Sequence, residues 1–222
     1  NFKNIDNFFI STHPDEVSSK AKNVNYHFLP TPVDKNIEKL NIYNNKSFIY
    51  DVFFAMSHGV NRGNIKFGKI DEREVFIRKV LLLNKDLKFD IYGFKKRNPV
   101  WSENFYKAIS KSPMAININR GVSKKYSSSN RIASLMGNGL LTFMDNKKQF
   151  DHFFTKDEMI FFDSNLDLAE KLNYYKINVD KRKKIARNGQ KKYFHLFNCE
   201  EVAKYIINKS LGPNKNYKPK WE

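Results

Sequence analysis

The sequence predicts an α/β fold with a doubly wound parallel sheet, and three observations support this prediction. Apolar segments of strand length alternate with amphipathic segments of helix length from residue 48 to about residue 175. The first of them, FIYDVFFAM over 48–56, is a continuous run rich in aromatic and branched residues, which is typical of a strand buried on both faces. The spacing is short, and such alternation implies right-handed crossovers that cover both faces of a parallel sheet.

The first 46 residues precede this alternation and form a separate part of the chain. Residues 7–12 predict a strand, 14–22 a short helix and 24–30 a second strand that ends in a proline-containing turn. Residues 33–46 are polar and rich in Asn, so we expect a linker with one weak helical turn. We therefore assign residues 1–46 to the end of a preceding domain plus a linker.

From residue 47 each segment shows the apolar pattern of either a strand or a helix. The helix over 71–86 opens with acidic residues, which suit a helix N-terminus, and the glycines of Gly137–Gly139 end a helical turn over 132–136. We assign residues 47–212 to one sheet domain and residues 213–222 to a C-terminal tail. The remaining predicted strands are 88–94, 114–119, 140–143 and 158–163, and the remaining predicted helices are 102–112, 147–154, 165–176, 180–197 and 199–211.

Composition limits the classes of protein to consider. No run of about 18 apolar residues occurs, so no membrane span is expected. The single cysteine, Cys199, excludes an internal disulfide and a cysteine metal cluster, and it fits a reducing cytoplasm. The chain opens without Met and without a signal peptide, which indicates a fragment of a longer protein.

The net charge of +17 suits nucleic acid, an anionic membrane or a phosphorylated ligand. Because the lysines are scattered along the chain rather than collected in one face or tail, we expect no nucleic-acid partner. We expect a weak association with an anionic membrane surface, at the inner face of the membrane, through clusters such as Lys95–Arg97 and Lys181–Lys184.

Polar donors are concentrated ahead of the helical turn over 132–136. Lys125 precedes a run of good N-cap residues, and Arg131 follows it. Free backbone N–H groups, the positive helix pole and these cations make an anion site, most often one for phosphate. An ordinary capped helix with a solvated basic loop is the alternative. The N-cap candidates, which are also candidate ligand contacts, are Ser127, Ser128, Ser129 and Asn130.

A second basic loop, residues 57–69, follows the first strand of the sheet domain. Gly59 allows close approach of the backbone to a ligand, while Arg62 and Lys66 supply positive charge. His58 could donate to a ligand oxygen, although a lone loop histidine is more often solvated. No GxGxxG or GxxxxGK[ST] pattern occurs, so dinucleotide and P-loop sites of the usual kind are not expected.

The strand over 114–119 ends in polar residues. Asn117 and Asn119 share one face, and Asn117 either satisfies a neighbouring loop or points at a ligand. Because two basic loops end adjacent strands, we expect them to converge on one diphosphate. Glu158 opens a strand near the carboxyl-end loops and is a candidate ligand contact.

Other chemistries find little support in the sequence. The five histidines show no metal-ligand spacing, and no G-x-S-x-G elbow occurs, so neither a metal site nor a serine nucleophile is expected.

Three segments resemble one family. MAININRGVSKKYSSSNRIASLMGNGLLTF over 114–143, FFTKDEMIFFDSNLDLAEKLNYY over 153–175 and RKKIARNGQKKYF over 182–194 are similar to the C-terminal, donor-binding half of GT-B glycosyltransferases of the spore-coat-like group. FFISTHPDEVSSKAKNVNYHFLPTPVD over 8–34 is similar to the end of the acceptor domain.

The resemblance implies roles for particular residues. It implies a Rossmann-like domain over 47–212 that binds a nucleoside-diphosphate sugar as co-substrate, with no other cofactor. Arg131 would stabilise the diphosphate leaving group, Asn117 matches the strand asparagine, and loop 57–69 would face the phosphates. The family commonly has a glutamate three residues after the arginine, but here the position is Ser134, which weakens the expected ribose contact.

The resemblance also implies a mechanism and a partner. Positive groups already in place would neutralise the leaving diphosphate without a metal, and the acceptor would be a glycan or a lipid-linked molecule. The general base of an inverting enzyme would lie on the acceptor half, so we expect this chain to bind nucleotide weakly and to transfer little sugar. A non-catalytic nucleotide-binding module and, less favoured, a basic nucleic-acid-binding protein are the alternatives.

Overall fold

The computed structural model describes residues 4–57, 72–95, 97–121, 123–212, 214 and 217–222. The chain begins with two short strands, β1 (Asn7–Ile10) and β2 (Asn25–Phe28), which pair in parallel as a separate two-stranded sheet. This pair packs on the rest of the chain through aromatic rings, since Phe28 stacks on Phe153 and Phe9 meets Tyr205 edge-on.

The predicted doubly wound parallel sheet is confirmed. Its strands run in the spatial order β4-β3-β5-β6-β7, and every neighbouring pair is parallel. The register places Val52 beside Phe89 on one side and beside Met114 on the other. The strands are β3 (Val52–Ala55), β4 (Phe89–Tyr92), β5 (Met114–Asn117), β6 (Leu141–Asp145) and β7 (Ile160–Phe162).

Helices cover both faces of this sheet, as its continuous apolar strands require. Residues Val52 and Phe54 of β3 pack with the helices of one face, and Phe53 and Ala55 pack with those of the other. The helices are α1 (Glu72–Leu83), α2 (Ser102–Ile109), α3 (Arg131–Gly137), α4 (Asn165–Ile177), α5 (Val179–Phe197) and α6 (Cys199–Leu211). The helices α1 and α4 lie on the Val52 face, and α2 lies on the Phe53 face.

The strand order creates a crevice at one edge of the sheet. From β3 the chain first adds β4 on one side, then returns to add β5 on the other side of β3. The connections that leave the carboxyl ends of β3 and β5 therefore diverge, and such a switch point is where open α/β sheets bind ligands.

Two predicted helices are wrong. Over 14–22 the structure has only a 3-10 turn at Pro14–Glu16, because the chain turns extended at Val17 and the serines that follow favour turns over helix interiors. Over 147–154 it has two 3-10 turns, separated by Gln149, whose left-handed φ of 53° interrupts helical geometry.

The predicted linker is packed against the sheet domain rather than solvated. Val33 and Ile42 are fully buried, and Val33 exchanges backbone hydrogen bonds with Phe197 and Cys199 at 2.9 Å. The C-terminal residues also pack, since the buried Trp221 ring meets the aromatic rings of α5 and α6. The division of the chain at residue 46 stays a prediction.

Candidate functional site

A cavity of about 250 Å³ opens at the switch point between β3 and β5. Its walls come from the end of β3, from the connection into α2 together with α2 itself, and from the start of α3. The lining residues are Ala55, Met56, Ser57, Pro99, Val100, Trp101, Ser102, Phe105, Tyr106, Asn130, Arg131 and Ser134. Three of the predicted site residues, Asn130, Arg131 and Ser134, therefore lie together here.

Arg131 is the main charged group of the cavity. Its Nη2 donates to the Ile118 carbonyl at 2.7 Å, whereas its Nε is buried with no partner among the described residues. Burial, and secondarily the nearby positive charge of Arg73, lowers the pKa of Arg131 to about 10. A guanidinium that is desolvated and repelled by a second cation is strongly stabilised by an anion.

Arg73 is a charged neighbour that the sequence prediction missed. It is buried near the start of α1, and its Nη2 donates to the Ser57 carbonyl at the cavity wall at 2.6 Å. An arginine in the first turn of a helix opposes the helix dipole. That position was the signal in the sequence that could have identified it.

The serine run is held by its own hydrogen bonds. Asn117 Nδ2 donates to Ser128 Oγ at 3.0 Å, and Asn119 Nδ2 donates to Ser127 Oγ at 3.4 Å. The buried Lys148 ammonium also donates to Ser127 Oγ, at 3.0 Å. Of the two alternatives for Asn117, the side-chain NH₂ thus makes the contact with the neighbouring loop. The buried Oδ1 of Asn117 has no partner among the described residues.

The predicted N-caps are only partly formed. Asn130 occupies the cap position of α3 in helical conformation, and its side chain makes no capping hydrogen bond. Ser129 Oγ accepts from the Arg131 N–H at the long distance of 3.5 Å. Because α3 is a helix of seven residues, the positive charge of this site comes mainly from guanidinium groups rather than from a helix dipole.

Ser134 lies beside a carboxylate that comes from the linker. Ser134 Oγ and Tyr106 Oη both donate to Oε1 of the buried Glu38, at 3.5 and 3.3 Å. Burial raises the pKa of the Tyr106 phenol, which therefore keeps its proton at neutral pH. Glu38 could not be predicted as a site residue, because 96 residues separate it from Ser134 in the chain.

Six of the predicted contacts are not among the residues that line the cavity: Asn117, Ser127, Ser128, Ser129, Lys125 and Glu158. Lys125 Nζ lies over the Tyr126 ring, 5.0 Å from its centroid. Glu158 precedes β7, so it lies at the amino edge of the sheet rather than near the carboxyl-end loops. Its Oε2 accepts from the backbone N–H and the hydroxyl of Thr155, which is a local structural role.

Four further predicted contacts, His58, Gly59, Arg62 and Lys66, lie outside the described residues. In the part of the chain that is described, no group of three or more His, Cys, Asp or Glu side chains is placed to hold a metal ion. No described helix is both long and apolar enough to span a bilayer.

One arginine from each of the two predicted basic clusters makes contacts within the fold. Arg97 pairs with the buried Asp90 carboxylate at 2.6 Å and lies over the Tyr92 ring, 3.6 Å from its centroid. Arg182 is buried, and its Nη1 donates to the Tyr175 and Lys176 carbonyls at the end of α4. These two cations therefore contribute to folding more than to an exposed basic surface.

Several solved structures have a fold similar to that of this chain. Anabaena Alr3699/HepE in complex with UDP and glucose matches with a TM-score of 0.61 and 11% identity, over 89% of this chain and 59% of that protein. Sucrose-phosphate synthase from Thermosynechococcus elongatus matches at 0.58 and 10%, over 86% and 53%. TarM matches at 0.60 and 11%, over 85% and 39%.

This likeness confirms the Rossmann-like fold of a GT-B C-terminal domain, and the chain spans between about two fifths and three fifths of these proteins. No curated protein sequence matches the chain. A sequence model of the glycosyl transferase-like family matches residues 73–208, which is more than half of the chain. The chain therefore belongs to the glycosyl transferase-like family.

Proposed function

We propose that this chain is the donor-binding part of a glycosyltransferase and that its cavity binds the nucleoside diphosphate of a nucleotide-sugar donor. The observation that carries the proposal is the Arg131 guanidinium, which is buried at the switch point with an unpartnered Nε and with the Arg73 charge nearby. A diphosphate in the cavity would compensate both cations.

Part of the cavity wall suits a nucleobase. Val100, Trp101 and Phe105 line it with apolar and aromatic surface. A planar base packs against such surface, while a few polar groups fix its orientation. The cavity thus combines apolar and aromatic surface with a guanidinium, and these groups suit the base and the phosphates of a nucleotide.

The structures of Anabaena Alr3699/HepE support the class of donor, because they are described as complexes with UDP, with UDP and glucose, and with UDP-glucose. In our proposal the sugar of the donor extends beyond the Arg131 end of the cavity, toward the acceptor.

Glycosyl transfer develops negative charge on the leaving diphosphate. In our proposal Arg131 neutralises this charge in the transition state, so that the reaction needs no metal ion. The acceptor, a glycan or a lipid-linked molecule, would be bound and deprotonated by a preceding acceptor domain. We therefore expect this chain alone to bind donor but to transfer little sugar.

A nucleotide-binding module without transfer activity is the second candidate. It is favoured by Ser134, which stands where the resemblance implies a glutamate. The carboxylate of Glu38 beside Ser134 argues for a working site instead. Sugar transfer by the chain joined to an acceptor domain would decide for the enzyme.

The direct test is thermal unfolding of the chain with UDP, GDP, ADP, CMP and their sugar conjugates. A ligand at about 100 times its Kd adds about 2.7 kcal/mol of stability, which is a readable shift. We expect a base-selective shift that Arg131→Met abolishes. Arg182→Met is the matched control, because it removes a buried arginine that only holds the end of α4, and it should keep the shift. The absence of a shift with every nucleotide would contradict the proposal.

A further inference from the structure

We propose that the exposed side of α5 is a docking surface for an anionic membrane. This inference goes beyond the proposed function, and it uses no residue of the nucleotide cavity. The surface, which we call the α5 basic face, is a groove of about 460 Å³ between α5 and two residues of the linker. Its lining residues are Tyr43, Asn44, Lys183, Lys184, Arg187, Asn188 and Lys191.

Helical spacing places the cations of this face in one row. Lys184, Arg187 and Lys191 follow one another at intervals of three and four residues, so they lie on the same side of α5. All three residues are exposed, whereas Ile185 and Gly189 between them are buried. The rise of 1.5 Å per residue spreads the row over about 10 Å, which is longer than one phosphate group.

No carboxylate neutralises this row in the part of the chain that the structure describes. None of its described ion pairs includes Lys183, Lys184, Arg187 or Lys191, and the groove has no acidic lining residue. Like charges at this spacing repel each other and weaken a helix. An anionic partner would remove this repulsion, so the face is complementary in charge to such a partner.

Two other helices pair their cations in the same geometry. Lys107 pairs with Glu103 on α2, and Lys171 pairs with Asp167 on α4, each four residues apart. In α5 no acidic residue follows Asp180 of the first turn. The unpaired row is therefore a property of α5 and does not follow from the high net charge alone.

An anionic membrane suits this face better than nucleic acid does. Single-stranded nucleic acid stacks its bases on open aromatic rings. The ring of Tyr43 in the groove already has the Arg187 guanidinium 5.7 Å from its centroid, and the Tyr43 hydroxyl donates to Gln190 at 2.8 Å. Ile177, just before α5, is 79% exposed. A membrane interface accommodates cations and an exposed apolar side chain together.

The α5 basic face is separate from the nucleotide cavity. Gly189 of α5 lies against the Glu158 carbonyl that precedes β7, and Gln190 Nε2 donates to the Gly137 carbonyl at the end of α3. Both contacts are at the amino edge of the sheet, whereas the cavity is at the carboxyl ends of the strands. A membrane on the α5 basic face therefore leaves the cavity open.

The test is co-sedimentation of the 222-residue chain with lipid vesicles. One set of vesicles is pure phosphatidylcholine, and the other contains equal parts of phosphatidylcholine and phosphatidylglycerol. We expect binding to the anionic vesicles alone at about 0.1 M salt, and release at about 1 M salt, where the Debye length is much shorter.

The triple variant Lys184→Gln, Arg187→Gln, Lys191→Gln should bind anionic vesicles at least about tenfold more weakly, since each cation near such a surface contributes about fivefold to partitioning. Gln has nearly the helix propensity of Lys and Arg, and the repulsion is removed, so the unfolding temperature should not fall. The double variant Lys184→Gln, Lys191→Gln leaves the contact of Arg187 with Tyr43 in place, and it carries the test if the triple variant does not fold.

The matched control is Lys22→Gln, Lys79→Gln, Lys204→Gln, which removes the same charge from exposed lysines in three separate parts of the chain. It should bind within about twofold of the wild type, because distant charges are screened at this salt. Equal binding to both kinds of vesicle, no binding to either, or equal losses in the two triple variants would overturn the inference. Binding of a single-stranded RNA oligonucleotide that only the α5 variant loses, without vesicle binding, would assign the face to nucleic acid and would also overturn it.

Discussion

Two buried arginines show how one residue type takes two roles. Arg182 donates to two carbonyl groups that α4 leaves unpaired at its carboxyl end, which stabilises the fold. Arg131 donates to one carbonyl, keeps an unpartnered Nε and lies near a second cation. Arg182 also has a buried Nε with no partner among the described residues, but it does not line the cavity, whereas Arg131 lines the cavity and has a second cation nearby.

At the residue scale the sequence predicted Asn130, Arg131 and Ser134 but not Arg73, Glu38 or Tyr106. Arg131 precedes a clear apolar helical face, so local pattern was sufficient to find it. Glu38 lies in a segment without periodicity, and only the tertiary packing of the linker brings it to Ser134. Glu158 is wrong as a predicted contact because it precedes β7, and a residue that precedes a parallel strand lies at the edge of the sheet opposite the carboxyl-end loops.

His27 gives a pH-dependent contribution to stability. Its Nε2 is 2.8 Å from Asn7 Oδ1, and its pKa is lowered by burial and then by Lys209, against a smaller opposite effect of Glu222. The folded state therefore binds a proton less readily than the unfolded state, whose histidine titrates near 6.5. The contribution is complete above about pH 6.5, and it is lost as pH falls from there through the folded pKa.

We predict that the unfolding temperature of the wild type falls between pH 7.5 and pH 5 and that His27→Gln reduces this fall. Differential scanning calorimetry over that range measures both. His195→Gln, at an exposed position of α5, is the control and should keep the wild-type profile. A His27→Gln profile that parallels the wild type would show that His27 is not the group responsible.

At the element scale the order of strands and helices followed from the sequence, because apolar periodicity is a local property. The ends of elements did not: the predicted strand over 48–56 spans only Val52–Ala55. The short 3-10 turns near Gln149 were missed because a left-handed residue that is not glycine leaves no clear mark in the sequence.

Two glycines set how closely helices approach their neighbours. A Cβ on Gly137 of α3 would meet Val33 and Glu38 side-chain atoms at 2.6–2.8 Å. A Cβ on Gly189 of α5 would overlap the Glu158 backbone carbonyl. Both glycines are therefore required by packing rather than by backbone conformation.

We predict that Gly137→Ala lowers the free energy of unfolding by about 1–3 kcal/mol, because the linker must move away from α3. Gly189→Ala should cost more, since a backbone carbonyl yields less readily than a side chain. Urea denaturation measures both costs. Only Gly137→Ala should also weaken nucleotide binding, because it displaces Glu38; equal effects of the two variants on binding would contradict this account.

At the scale of the whole molecule the sequence predicted the sheet but not its strand order. Alternation of strands and helices implies a parallel sheet, yet the return of the chain to place β5 beside β3 depends on pairing between distant segments. The crevice at the carboxyl ends of β3 and β5 exists because the chain returns to place β5 beside β3. Its chemistry could be anticipated only in part, since Asn130, Arg131 and Ser134 were predicted while Arg73, Glu38 and Tyr106 were not.

The net charge of +17 is a weak guide to a partner. Several of the cations form ion pairs or hydrogen bonds within the fold, as Arg97 and Arg182 do. The absence of a nucleic-acid partner and the weak association with an anionic membrane stay predictions. The charge that matters for the proposed function is local, at Arg131 and Arg73.

The central claim is that the Arg131 end of the cavity binds a diphosphate. The most direct measurement is the affinity of the wild type and of Arg131→Met for UDP and for uridine, by isothermal titration calorimetry, with the corresponding purine pairs alongside. The account predicts that the wild type binds the diphosphate at least about tenfold more tightly than the nucleoside, and that Arg131→Met removes this difference while leaving nucleoside binding unchanged. Equal affinities in the wild type, or a difference that Arg131→Met preserves, would contradict it.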